Sequence, residues 1–186
     1  MKPNNTNMKQ SILLAATNLI TKNGIKNTSL ADIAKAVGIS KGTLYYHYSS
    51  KDELIGDIAD AHLSIITQSV LSCVQDVNVE HPKDEIIKSI LDKISAIEGT
   101  GRVHMYLICE AITANDALRE RIRISYINWR KTLKTEIEKT FSSHSSAESL
   151  SFLLLSIVDG LVIQSLLKTE KIPFEGIAEF LINHWT

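Results

Sequence analysis

The chain has 186 residues, a formal net charge of −1 and only 8 Gly and 3 Pro, enough length for one or two domains with a sizeable core and too few turn residues for a turn-rich β fold. The charge is unevenly placed: residues 1–51 carry seven Lys against Asp32, a balance of +6, while the remainder carries 13 basic and 20 acidic residues, a balance of −7. A basic head on an acidic body points to a polyanionic partner for the head alone, and two isolated cysteines exclude a disulfide framework or a CxxC metal site.

The opening MKPNNTNMKQ has no apolar core and does not read as a signal peptide; residues 1–7 are expected to fray. A first helix is predicted from about Met8 to Asn23, with Met8, Ile12, Ala15, Ala16, Leu19 and Ile20 on one face and Asn23-Gly24 as its stop. Ser29 and Asp32 form a capping box for a short helix whose Leu30, Ile33, Ala34 and Val37 share an apolar face. Gly38 suits its left-handed end, Ile39 a buried plug in the turn, and Ser40 the N-cap of a second short helix through Leu44 to His47. Ser50 and Glu53 form a further capping box for the next helix.

This is a helix-turn-helix. Leu44 and Tyr48, four apart, face the core, while Lys41, Gly42, Thr43, Tyr45, Tyr46 and His47 offer donors, a cation, a close-approach site and rings suited to a major groove. Thr28, Ser29 and Ser40 combine capping with phosphate contact. Lys51, a cation in a first helical turn where the dipole disfavours it, is explained by a facing phosphate.

The run Thr28, Ile33-Ala34, Gly38-Ile39-Ser40, Gly42, Leu44 to Tyr48 and Lys51 to Leu54 resembles the N-terminal signature of the TetR family of bacterial transcription regulators. The resemblance covers roughly residues 8 to 56; beyond it only length and helical layout are similar. It implies an all-α homodimer in the cytoplasm, with a helix-turn-helix domain over 1–50 and a helical ligand-binding and dimerisation domain over 51–186, which represses transcription at an operator and is released by a small-molecule effector.

From Ser50 a long helix is predicted to about Val77, with Leu54, Ile58, Ala61, Ile65 and Ser69 as its stripe and Ile55, His62 and Ile66 beside it. Pro82 suits the first turn of a helix carrying Ile86 to Ile97, ended by Gly99-Thr100-Gly101. A shorter helix from Arg102 to Ala114 carries Val103, Tyr106, Leu107, Cys109 and Glu110, and another runs from Asn115-Asp116 to about Phe141 on Leu118, Ile122, Tyr126, Trp129, Leu133 and Ile137. Cys73 and Cys109 lie in apolar helical patterns and read as buried free thiols.

After the SSHSS loop, Ser145 and Glu148 form a capping box for a helix over 147–168 that is apolar nearly all round. Such a helix must be covered on every side, which points to a subunit interface built from Phe152, Leu154, Val158 and Leu161 with Ile177 and Leu181 of the last helix. Asp159 and several Ser interrupt its apolar run, so it is not a convincing membrane span. Polar and aromatic groups among the apolar stripes, His62, Tyr106, Glu110, Tyr126, Trp129 and Gln164, are candidate linings of an effector cavity, which suggests a mainly apolar or aromatic ligand.

His62, His104 and Glu110 lack metal-ligand spacing, and no G-x-S-x-G, P-loop or Cys/His constellation is present, so neither a metal, a cofactor nor an enzyme is expected. The competing expectation is a DNA-binding structural or adaptor protein of the same fold, controlled by a protein partner.

Overall fold

The computed structural model describes residues 5–75, 98–140 and 147–184, which form eight α-helices and no strand. These are α1 (Asn5–Asn23), α2 (Leu30–Val37), α3 (Lys41–His47), α4 (Lys51–Gln75), α5 (Glu98–Thr113), α6 (Asp116–Thr140), α7 (Ala147–Leu167) and α8 (Phe174–His184). The predicted helix over Ile86 to Ile97 with Pro82, the end near Val77, the SSHSS loop with its Ser145 cap, and Trp185 lie outside the described residues. The fold is all-α, a three-helix helix-turn-helix head followed by a helical C-terminal part. Two compact units divide it: residues 1–63 with 102–122, and residues 64–101 with 123–186.

In the first unit α1 ends because Gly24 turns left-handed at φ 81° and its N–H reaches the Ile20 carbonyl at 2.8 Å. A Cβ on Gly24 would also meet the Tyr106 ring at 3.4 Å. α2 opens on the predicted box: the Ser29 hydroxyl accepts from the Asp32 N–H at 3.2 Å, and the Asp32 carboxylate accepts from the Ser29 N–H at 3.0 Å. It closes on Gly38 at φ 75°. Ile12, Ala16 and Ile20 of α1, Ile33 and Ala34 of α2, Leu44, Tyr48, and Leu54, Ile55 and Ile58 of α4 make the core. Ile39 is only half-buried, because the turn it plugs is at the surface.

Four other expectations are corrected here. The box at α4 is only half formed: the Glu53 N–H reaches the Ser50 hydroxyl at 3.1 Å, but the Glu53 carboxylate accepts from the N–H and hydroxyl of Ser49, both at 2.8 Å. The buried stripe of α4 is Leu54, Ile55, Ile58, Ala59, His62 and Leu63, whereas Ala61 is exposed and Ile65 is 55% exposed. Gly99-Thr100-Gly101 does not end a helix but lies within α5, and neither glycine turns left-handed. Cys109 is exposed, on the outer side of α5; the side chain of Cys73 lies outside the described residues.

In the second unit Leu133 and Ile137 of α6 pack with Ala147, Leu150 and Leu154 of α7, with Val70 of α4 against them. Farther along α7, Leu161 and Val162 pack with Phe174, Ile177 and Leu181 of α8. Glu148, in the first turn of α7, is held by Arg130 and by Lys134 at 2.8 Å. With a mean hydropathy of 2.1, α7 is long and apolar enough to cross a membrane; one side of it packs against α6 and α8, and it carries Asp159 in mid-course.

Candidate nucleic-acid interface

The recognition helix α3 is fixed at both ends. The Ser40 hydroxyl accepts from the Thr43 N–H at 3.0 Å, and the Tyr48 N–H closes the helix on the Leu44 carbonyl at 2.9 Å. Leu44 and Tyr48 are fully buried, as their spacing predicts. The Tyr48 phenol donates to Asp57 at 3.1 Å, Lys9 of α1 pairs with the same carboxylate at 2.8 Å, and the Lys9 ammonium lies 5.2 Å from the Tyr48 ring centre. Burial, then the charge of Asp57, pushes the phenol pKa up. Desolvation works against ionised Asp57, but the Lys9 ammonium and the Tyr48 hydroxyl outweigh it and hold that carboxyl below the usual range. α1 and α4 are thereby tied to the C-terminal end of α3.

That outer face carries no acidic residue. Lys41, Gly42 and Thr43 are exposed, Tyr45 and Tyr46 are 55% and 77% exposed, and His47 is half-buried with its ring edge-on to Tyr46 at 5.2 Å. A side chain at Gly42 would touch only the Ser40 hydroxyl at 3.7 Å, so the chain's own packing does not demand glycine there. Beside α3 lies a concavity of about 310 Å³ whose wall includes Lys26, Ser29, Lys41, Tyr45 and Lys51. Three ammonium groups with a hydroxyl and a phenol around one hollow suit a phosphate backbone. Lys26 was not singled out in the sequence; its only signal there is membership of the basic head.

Two candidates are placed differently from expectation. Thr28 is 1% exposed and its hydroxyl donates to the Gly24 carbonyl at 2.9 Å, so the side chain serves the turn and not a phosphate. Lys51 is half-buried and its ammonium donates to the Ile25 carbonyl, which explains a cation in the first turn of α4 without any phosphate.

The candidate effector residues are divided between the two units. His62 and His104 are buried in the first unit with Nε2 and Nδ1 3.2 Å apart, and burial pulls both pKa values down to about 4. Tyr106 and Glu110 are half-buried in the same unit. In the second unit the Tyr126 phenol donates to Asp159 at 2.9 Å, and the Trp129 indole N–H donates to Thr67 at 2.7 Å. Gln164 is exposed on α7 and lines no interior. Among the described residues no group of three His, Cys, Asp or Glu could hold a metal ion.

The candidate interface residues divide similarly. Leu154 and Leu161 are only 5% and 6% exposed, buried by their own chain, and Val158, Ile177 and Leu181 pack around Leu161. Phe152 is 55% exposed, under the Arg130 guanidinium at 4.5 Å. The apolar groups α7 leaves outside are Phe152, Leu153, Ile163 and Leu167, and α8 leaves Phe180.

Residues 12–58 match the family described as bacterial regulatory proteins, tetR family. The chain is 26% identical over 175 residues to the HTH-type transcriptional regulator LmrA of Bacillus subtilis (strain 168), covering 91% of this chain and 92% of that one. Its fold is similar to a TetR-family transcriptional regulator from Cytophaga hutchinsonii, with a TM-score of 0.82 at 19% identity over 98% of this chain and 96% of that one. It is also similar to AibR, solved in complex with isovaleryl coenzyme A and operator DNA, with a TM-score of 0.69 at 21% identity over 95% and 96% of the two chains. The helix-turn-helix with its solvent-facing α3 and the match to its sequence make residues 12–58 a DNA-binding domain of the tetR family of bacterial regulatory proteins, and the fold is similar to that of TetR-family transcriptional regulators along nearly the whole chain.

Proposed function

We propose that the protein is a repressor which binds an operator as a homodimer in the cytoplasm and is released by a small-molecule effector. The observation that carries the DNA-binding part is the outer face of α3: exposed Tyr45 and Tyr46, no acidic residue, and a hollow rimmed by Lys26, Lys41 and Lys51. Tyr46 and His47, with Thr43, would read base edges, whereas Ser29, Ser40, Lys26, Lys41 and Tyr45 would hold phosphates. Gly42 would let a sugar-phosphate strand approach α3 closely. Lys51 keeps donors to spare beyond Ile25 and would add charge rather than direct readout.

The functional division is a DNA head over 1–50 and an effector and assembly part over 51–186. The apolar groups left outside on α7 and α8 support a homodimer, since a contiguous exposed apolar face marks an interaction surface. AibR, with a coenzyme A thioester and operator DNA in one crystal, supports a two-ligand regulator. Effector and operator must then oppose each other reciprocally: each weakens the other by the same factor.

The test is selection of double-stranded fragments from a random pool, followed by titration of wild type and Tyr46→Ala against a selected and a scrambled fragment. The base-reading role of α3 requires the variant to lose affinity mainly for the selected fragment. Equal losses on both would remove it.

A further inference from the structure

The only charged residues of α7 are Glu148 in its first turn and Asp159. Several carboxylates of the fold sit in ion pairs: Glu148 with Arg130 and Lys134, Asp57 with Lys9, and Asp60 with Arg121. Asp159 is half-buried, and among the described residues no Lys, Arg or His forms an ion pair with it; its partner is the neutral Tyr126 hydroxyl at 2.9 Å. Burial raises the Asp159 pKa against the hydrogen bond from Tyr126, a cost that an opposite charge would relieve. Burying a charge without an opposite charge is destabilising, so the arrangement makes sense where a cation arrives from outside.

The surroundings suit an organic one. The Tyr126 ring lies against Trp129, centroids 5.0 Å apart and tilted by 47°, and the indole is held in place by its N–H bond to Thr67. A carboxylate beside two electron-rich ring faces attracts a cation by direct charge and by the ring quadrupoles, and it repels phosphate and carboxylate ligands. All four residues belong to the second unit.

We infer that Asp159, with the rings of Tyr126 and Trp129, anchors an organic cation as the effector of this protein. This rests on the ligand-responsive reading above and specifies its chemistry.

The experiment follows indole fluorescence of the full-length protein carrying Trp185→Phe, so that of its 2 Trp only Trp129 reports. Three probes are titrated: benzyltrimethylammonium, tetraphenylphosphonium and tetraphenylborate, the last an anion of nearly the shape of the second. Saturable quenching by at least one of the two cations, with none by tetraphenylborate, is expected; this comparison needs no further variant. Asp159→Asn should weaken the bound cation by about tenfold or more, and Tyr126→Phe, which keeps the ring, should not. Equal affinity for tetraphenylphosphonium and tetraphenylborate, binding unchanged in Asp159→Asn, or no binding of either cation would overturn the inference. Selected DNA is titrated in parallel. If wild type and Asp159→Asn bind it alike while no cation binds, the cation site fails and the regulator reading stands. If no fragment is ever selected, the regulator reading itself fails, and with it any effector role.

Discussion

The Lys51 ammonium donates to the carbonyl of Ile25, 26 positions earlier, and so ties the first turn of α4 to the turn that follows α1. The recognition helix lies between these two points in the chain, so a single side chain helps to hold the frame in which α3 is presented. Replacing Lys51 by Met should therefore lower stability, by about 1.5–3 kcal/mol for a charged hydrogen bond, as well as weaken DNA binding. Lys41→Met should leave stability within about 0.5 kcal/mol of wild type. It should nevertheless reduce the salt dependence of DNA binding by about one unit of slope on every sequence. Urea denaturation alongside affinity at several salt concentrations separates the two. Equal stability of both variants would mean that the Ile25 contact contributes nothing.

Gly38 offers a test of the turn alone. Its φ of 75° is left-handed, yet a Cβ there would meet nothing within 4 Å. Gly38→Ala should thus be destabilising through the backbone only, by about 1–2 kcal/mol, and Gly38→Asn by less, since Asn tolerates this conformation. Denaturation midpoints check this; an Ala variant as stable as wild type would contradict it.

The His62–His104 pair gives the fold a pH dependence whose sign is fixed. Burial holds both pKa values at about 4 in the folded protein, against 6.5 ordinarily. As pH falls through 6.5 the unfolded chain takes up protons that the folded one refuses, so stability present at pH 7 is lost progressively down to about pH 4. The loss by pH 5 should be on the order of 1–2 kcal/mol for each ring. Urea titrations at pH 7.5 and pH 5 on wild type and a His62→Gln, His104→Gln double variant measure it. A double variant with undiminished pH dependence would assign the effect elsewhere.

The assembly prediction follows from which apolar groups α7 leaves outside. Leu153→Glu with Ile163→Glu should leave a folded monomer, because both side chains are exposed within one chain, at 51% and 43%. Leu161→Glu should unfold the α7–α8 pair instead, because it would place an unpaired charge among Phe174, Ile177 and Leu181. Light scattering with far-ultraviolet dichroism distinguishes these outcomes. A Leu153, Ile163 double variant that remains dimeric would move the interface to another face.

The local elements of the head follow from short-range patterns in the chain. The Ser29–Asp32 box, the Gly38 stop, the Ser40 cap and the burial of Leu44 with Tyr48 were all legible, because each depends on residues within four or five positions of one another. The helical stripe of α6 was legible for the same reason: Leu118, Ile122, Trp129, Leu133 and Ile137 are all buried. Tertiary structure decided what depends on a distant partner. Thr28 faces Gly24 and not solvent, and Lys51 finds a carbonyl in another segment. Leu154 and Leu161 are covered by α6 and α8 of their own chain, a distinction invisible in a helix that is apolar all round. The hydrogen-bond partner of Asp159 is Tyr126, 33 positions away, which no local pattern shows. Periodicity reports which residues share a face; only packing decides what that face meets, since the desolvation that fixes a charge or a leucine in place comes from whichever segment arrives to cover it.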